Sequence, residues 1–248
     1  DQSKYSVGIY AEGSTVLNTG NISLGADAVG IYVKDNTAMA VNHGNITAGT
    51  SSAPKAGAIG IFAEGGAGIE NFGNITLYGD NSIGIAGKNA AKIINEGTIN
   101  YTNGAFAVKE QDSYPLPELV NMGLITVDGH FSNEGMEISL KPDLNTLAPS
   151  TQPDVDFVLN SGTISANSMT ITDTVKILPD FSQGTNANVY KLENVFMTST
   201  GQIISSNGKI PMVSKSLTWE ATPKVNDDGN VDIYMHKLAY KDFSDGLW

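Results

Sequence analysis

The chain has 248 residues, 27 glycines, no cysteine and a formal net charge of −12. Without thiols there are no disulfides and no thiolate-held metals. The acidic balance, with no run of Lys or Arg, argues against nucleic acid or an anionic membrane surface as partner, and no apolar run approaches the ~20 residues of a membrane-spanning helix. The first element is predicted around Val7-Gly-Ile-Tyr10, a form that returns at Val29-Gly-Ile-Tyr32, Ile59-Gly-Ile-Phe62 and Ile83-Gly-Ile-Ala86 and degrades at Phe106-Ala-Val108. Strand alternation places Val7, Ile9 and Ala11 on one face and Gly8 with Tyr10 on the other. Tyr10, Tyr32 and Phe62 are therefore expected to stack on the outside, as an aromatic strip able to dock a sugar or a protein.

Next comes the unit N-x-G-x-I, at Asn18, Asn42, Asn71, Asn95, Asn121 and Asn160, with spacings of 24, 29, 24, 26 and 39 residues. An apolar residue precedes each Asn by two positions (Val16, Ala40, Ile69, Ile93, Leu119, Val158). Apolar pairs follow it, among them Ile22 with Leu24 and Ile75 with Leu77. A period of this size marks stacked units, none of which buries its apolar face alone. Three short strands per unit predict an all-β chain wound as a right-handed parallel β-helix. Its coils would rise ~4.8 Å each, six of them spanning roughly 30 Å. The recurring Asn and Gly are expected to turn the chain through positive φ, which both tolerate. The Asn amides are expected to bond one another as a structural ladder, which satisfies groups that are costly to bury alone.

Segments 49–57, 110–118 and 141–156 break the period and are expected as surface loops, with Tyr114 as a further binding candidate. After about Ala166 the motif is lost, although strand-like runs continue at Met169 to Ile177 and Val189 to Phe196. Leu217-Thr-Trp-Glu-Ala and Val231-Asp-Ile-Tyr-Met235 flank a turn at Asn226-Asp-Asp-Gly-Asn230, a hairpin signal. The chain is thus divided into repeats at 1–165 and a C-terminal β cap at 166–248, which covers strand edges that would otherwise lie open.

No catalytic, cofactor or metal site is read from the sequence. His43, His130 and His236 lack ligand spacing, and G-x-S-x-G, H-E-x-x-H and the P-loop are absent. Asp27, Asp35, Glu64, Asp80, Glu96 and Asp128 do not cluster as a polysaccharide-cleaving site requires. Asn226–Asn230 lacks the distal Glu of a calcium loop. Sequons at Asn21, Asn45, Asn74 and Asn100 follow from the repeat itself.

The Gly-Ile-Tyr and Asn-x-Gly-x-Ile coils resemble those of large fusobacterial outer-membrane adhesins. The stretch Ile177-Leu-Pro-Asp-Phe-Ser-Gln-Gly-Thr-Asn-Ala-Asn-Val-Tyr-Lys-Leu, Trp219 and Asp228-Gly-Asn-Val-Asp-Ile-Tyr resemble the autochaperone region of type V autotransporter passengers. The resemblance implies an extracellular segment attached to the cell through an outer-membrane β-barrel of the same polypeptide, with residues 166–248 helping to start passenger folding; the chain is read as monomeric and non-enzymatic. The period is already running at Val7, so the chain reads as a piece of something longer. Its expected partner is a host-cell or bacterial surface protein or glycan. The alternatives are a folding and secretion segment with no ligand of its own, or a β-helical polysaccharide-cleaving enzyme.

Overall fold

Short Ile-, Val- and Thr-rich runs bounded by Gly and Asn form strands throughout, and no α-helix occurs among the described residues. The computed structural model describes residues 6–90, 92–102, 106–110, 119–134, 137–179, 187–205 and 208–239; Tyr114 lies outside them. No helix of the described residues is long and apolar enough to cross a membrane, which leaves β-barrels unaddressed.

The first coil consists of β1 (Ser6–Glu12), β2 (Thr15–Asn18) and β3 (Asn21–Leu24). The second is β4 (Ala28–Lys34), β5 (Met39–Asn42) and β6 (Asn45–Ala48); the third is β7 (Ile59–Glu64), β8 (Gly68–Asn71) and β9 (Asn74–Leu77). The fourth is β10 (Ile83–Lys88), β11 (Lys92–Asn95) and β12 (Thr98–Thr102), and the fifth β13 (Phe106–Glu110), β14 (Leu119–Asn121) and β15 (Leu124–Ser132). Each strand pairs in parallel with its counterpart one coil away, in strict register: Ile31 with Ile61, Asn42 with Asn71, Ile46 with Ile75. Inward side chains such as Ile31, Ile46, Ile61, Ile69, Ile75, Ile85, Ile93 and Ile99 build one continuous fully buried column. Removing any of these to Ala costs about 2–5 kcal/mol by lost transfer and an unfilled cavity.

Then come β16 (Ile138–Leu140), β17 (Pro142–Pro149), β18 (Phe157–Ser161), β19 (Thr163–Ile171), β20 (Val175–Ile177), β21 (Val189–Thr198), β22 (Ile203–Ser205), β23 (Met212–Ser214), β24 (Trp219–Val225) and β25 (Val231–Lys237). Parallel stacking outlasts the motif, since β14, β16, β20 and β23 follow one another in one sheet. Antiparallel strand pairing enters with β17–β18, and then β21–β25 and β25–β24. Tyr190, Phe196, Trp219, Ile233 and Met235 bring the C-terminal hairpin into the same core.

Three expectations need correction. Segment 141–156 is not simply a loop, because β17 lies within it and pairs with β18. Asn160 does not join the amide ladder: it is exposed on β18 opposite Asp143, while the place next to Asn121 in the stack is taken by Leu140. The inserted strand displaces the sixth unit sideways. Finally, Val7 does not share a face with Ile9 and Ala11: it is exposed while those two pack on the core, and its counterpart Val29 likewise parts from Ile31. Val29, Ile59 and Ile83 form an outer cluster with Phe62 and Ala86, against which Tyr32 packs. Gly30 and Gly60 interrupt the alternation there, and a Cβ on either would stand 2.5 Å from the carbonyl oxygen of the next coil's glycine.

Candidate functional site

The Asn of each N-x-G unit ends a strand with its side chain turned inward, and strict register brings these amides face to face. Nδ2 of Asn18 donates to Oδ1 of Asn42 at 2.8 Å, Asn42 to Asn71 at 2.7 Å, Asn71 to Asn95 at 2.8 Å and Asn95 to Asn121 at 2.9 Å. The same amide nitrogens also reach the carbonyl two residues on, as Asn71 does to Gly73 at 3.2 Å. All of these Asn residues are buried. The glycine of the unit serves close approach and not, as expected, positive φ: it is absent from the positive-φ glycines, and a Cβ on Gly73 would lie 2.1 Å from the Gly44 carbonyl oxygen. Positive φ falls instead at corners such as Asp27 (51°) and Asp35 (89°), which gives these acids a backbone role.

A second, exposed ladder escaped sequence reading: Asn45 donates to Asn21 at 2.8 Å and Asn74 to Asn45 at 3.0 Å. The sequon positions held its signal, namely a polar amide repeated at one place in the period.

Tyr10, Tyr32 and Phe62 do stand on successive coils, with centroids 5.1 and 5.0 Å apart. Their planes meet at 72° and 64°, so they interlock edge to face and offer no flat strip. Tyr10 is 52% exposed whereas Phe62 is 8% exposed, covering the outer apolar cluster. The Tyr10 hydroxyl donates to Glu12 at 2.9 Å and that of Tyr32 to Glu64. The bond to Glu12 raises the pKa of Tyr10; burial, then the bond to Glu64, raises that of Tyr32 well above the ordinary phenol value. Both rings are neutral, anchored and oriented.

The residue after each ladder Asn points outward at a corner. His43 and Phe72 stack there at 4.7 Å and 5°. Below them opens a groove of about 720 Å³. Phe72, Leu124 and Met197 give it exposed apolar surface; Glu96, Asp143 and Glu193 give it acidic walls, with the displaced Asn160 among its lining. Nothing in the spacing of these residues joins them beforehand, because Asp143 comes from β17 and Glu193 and Met197 from β21, outside the repeat.

In the C-terminal region Lys191 is buried and bonds Asp232 at 3.0 Å and Glu193 at 3.2 Å. Asp232 also accepts from the Asn194 backbone at 2.8 Å and from Asn226 Nδ2 at 3.1 Å. Burial pulls the Lys191 pKa down, but the bonds to Asp232 and Glu193 outweigh it and hold the ammonium above its ordinary value. The turn Asn226–Asn230 is closed by its own amide, Asn226 Oδ1 accepting from Asp228 and Asn230 at 3.1 Å each. Among the described residues no group of His, Asp or Glu is placed to hold a metal ion.

Residues 152–239 match the family described as "BigA beta sandwich domain". Antiparallel pairs β21–β25 and β24–β25 lie inside that range. The chain is also 30% identical over 221 residues to the "Putative surface-exposed virulence protein BigA" of Salmonella typhimurium strain LT2. That alignment covers 82% of this chain and 11% of the relative. No solved structure matches the chain.

Proposed function

We propose that the chain is a non-enzymatic segment of a bacterial surface adhesin, wound as a right-handed parallel β-helix over 1–165 and closed by a β cap over 166–248. The observation that carries this reading is the unbroken amide ladder from Asn18 to Asn121. It ties coils together along the stack and suits a stiff spacer holding a binding surface away from a cell. The likeness to a surface-exposed virulence protein supports the location. In this reading the segment is a monomeric part of an autotransporter passenger, held by an outer-membrane barrel of the same polypeptide. It meets a host-cell or bacterial surface protein or glycan at the groove beside Phe72, with Tyr10 at the exposed end of the aromatic column.

The test is binding of the purified chain to host cells, bacteria and immobilised glycans. Phe72→Ala with Met197→Ala should reduce capture at least tenfold with unchanged circular dichroism; unchanged capture would remove the groove from the reading.

A second role has its own support. The hairpin β24–β25 and β21 bring Trp219, Tyr190 and Phe196 onto the end of the core, as a segment that starts passenger folding outside the cell would. Deleting 187–239 from a complete passenger should abolish surface display, and normal display would reject the role.

A further inference from the structure

Lysine is the chain's only strongly basic residue type, and its 14 lysines form no cluster in the sequence. The winding makes one. Each corner residue of the β2–β23 sheet donates its backbone N–H to the coil before: Met122 to the Asn95 carbonyl at 2.7 Å, Lys141 to Asn121 at 3.2 Å, Leu178 to Leu140 at 2.9 Å and Lys215 to Ile177 at 2.8 Å. Met122, Lys141, Leu178 and Lys215 therefore form one column. Lys141 and Lys215 sit two coils apart, ~9.6 Å at the usual strand spacing. Beside the column lies a groove of about 460 Å³ whose rim includes Lys92, Lys141 and Lys215 and whose floor includes Ile94, Val120 and Leu178.

Two features meet here that a merely solvated face would not combine. Among the described residues none of these three ammoniums forms an ion pair, and no carboxylate lines the groove, although the chain carries −12 overall. The floor between the charges is aliphatic. Of the carboxylates on this side of the sheet, Glu137 is engaged by Lys176, while Glu70 stands beside Ile94 and Glu96 one coil before Met122, both outside the groove lining.

We propose that this groove docks an extended acidic polypeptide segment with apolar side chains between its carboxylates. The floor takes the apolar side chains and the lysines take the carboxylates. Sugar faces stack on aromatic rings, and this floor has none; Phe72 lines the other groove. Lysine is a flexible point charge without the fixed fork of arginine, so the site is built for carboxylates at adaptable spacing and not for bidentate phosphate capture.

The experiment uses the whole chain and a fluorescent synthetic peptide of alternating Glu and Val, read by anisotropy. Analogues replace Glu by Gln or Val by Ser. Binding should weaken as salt rises, and each analogue should bind at least tenfold more weakly. Lys141→Glu with Lys215→Glu should lose binding, as should the milder Lys141→Gln with Lys215→Gln. Lys55→Glu with Lys209→Glu, an equal change of charge elsewhere, should bind within twofold of the parent. Equal binding by the groove variants overturns the proposal, as does a sulfated glycan that binds where the peptide does not. The peptide assay is independent of cell capture, so failure of one leaves the other readable.

Discussion

Asn42 and Asn71 are 29 residues apart in sequence, yet the amide of the first donates to the amide of the second at 2.7 Å, fully inside the protein. Asn71 hands the same bond on to Asn95. Asn71→Ala therefore removes the acceptor of one Asn42 amide N–H and leaves the buried Asn95 oxygen without its donor, while the Gly73 carbonyl keeps only the Thr98 backbone N–H. The expected cost is about 3 kcal/mol. Asn18→Ala, at the ladder's end, should cost less, about 1–2 kcal/mol, because it removes one ladder bond and two part-buried contacts with Gly20. Denaturant midpoints check both, and equal losses at the two positions would contradict the ladder as the source.

Gly60→Ala is expected to destabilise by about 3 kcal/mol, because the new Cβ meets the Gly84 carbonyl oxygen at 2.5 Å and backbone must shift. Gly25→Ala should be nearly neutral, since nothing lies within 4 Å of its Cβ position. Thermal unfolding of the pair distinguishes close approach of coils from any general intolerance of alanine in strand-rich sequence.

The repeated units made the parallel, in-register stacking and the inward Asn column legible, because the period alone dictates which residues meet. Three things were hidden for physical reasons. Simple alternation put Val29 in the core, but Gly30 breaks the alternation and turns Val29 outward. The N-x-G unit at Asn160 reads like its predecessors, yet β17, entering beside β18, displaces it and leaves Leu140 in the stack. The groove beside Phe72 and the lysine trio draw on residues from remote strands and irregular coils, where no period announces the juxtaposition.

Lys191→Met should cost about 3–5 kcal/mol by leaving Asp232 charged and buried without its partner. Adding Asp232→Asn, which keeps an acceptor for Asn194, should recover most of that loss. The pair also fixes a pH dependence. Lys191 has a raised pKa in the folded state, so its contribution is complete below the unfolded lysine value of about 10.4 and disappears as pH rises through the higher folded value. Alkaline melts should show the parent losing stability over that window relative to the double variant.

Asp156 behaves oppositely. Its carboxylate accepts from the backbone of Val189 at 3.0 Å and of Asn188 at 2.6 Å, which lowers its pKa. Its contribution is complete above the unfolded aspartate value of about 3.9 and fades as pH falls through the lower folded value. Asp156→Asn should flatten the acid limb of the stability curve. An unchanged acid limb would show that these bonds do not hold β21 to the end of the insertion.

The central claim is that residues one repeat apart are vertical neighbours, and spin-label distances measure it directly. Ser23, Thr47, Thr76, Asn100, Thr126, Ser165 and Met197 follow one another in register along one sheet. With no native cysteine to interfere, label pairs at Ser23 with Thr126, Ser165 or Met197 should give pulsed-dipolar distances of about 19, 24 and 29 Å, climbing one strand spacing of ~4.8 Å per coil. Distances that do not climb in equal steps would contradict the stack and every surface assignment drawn from it.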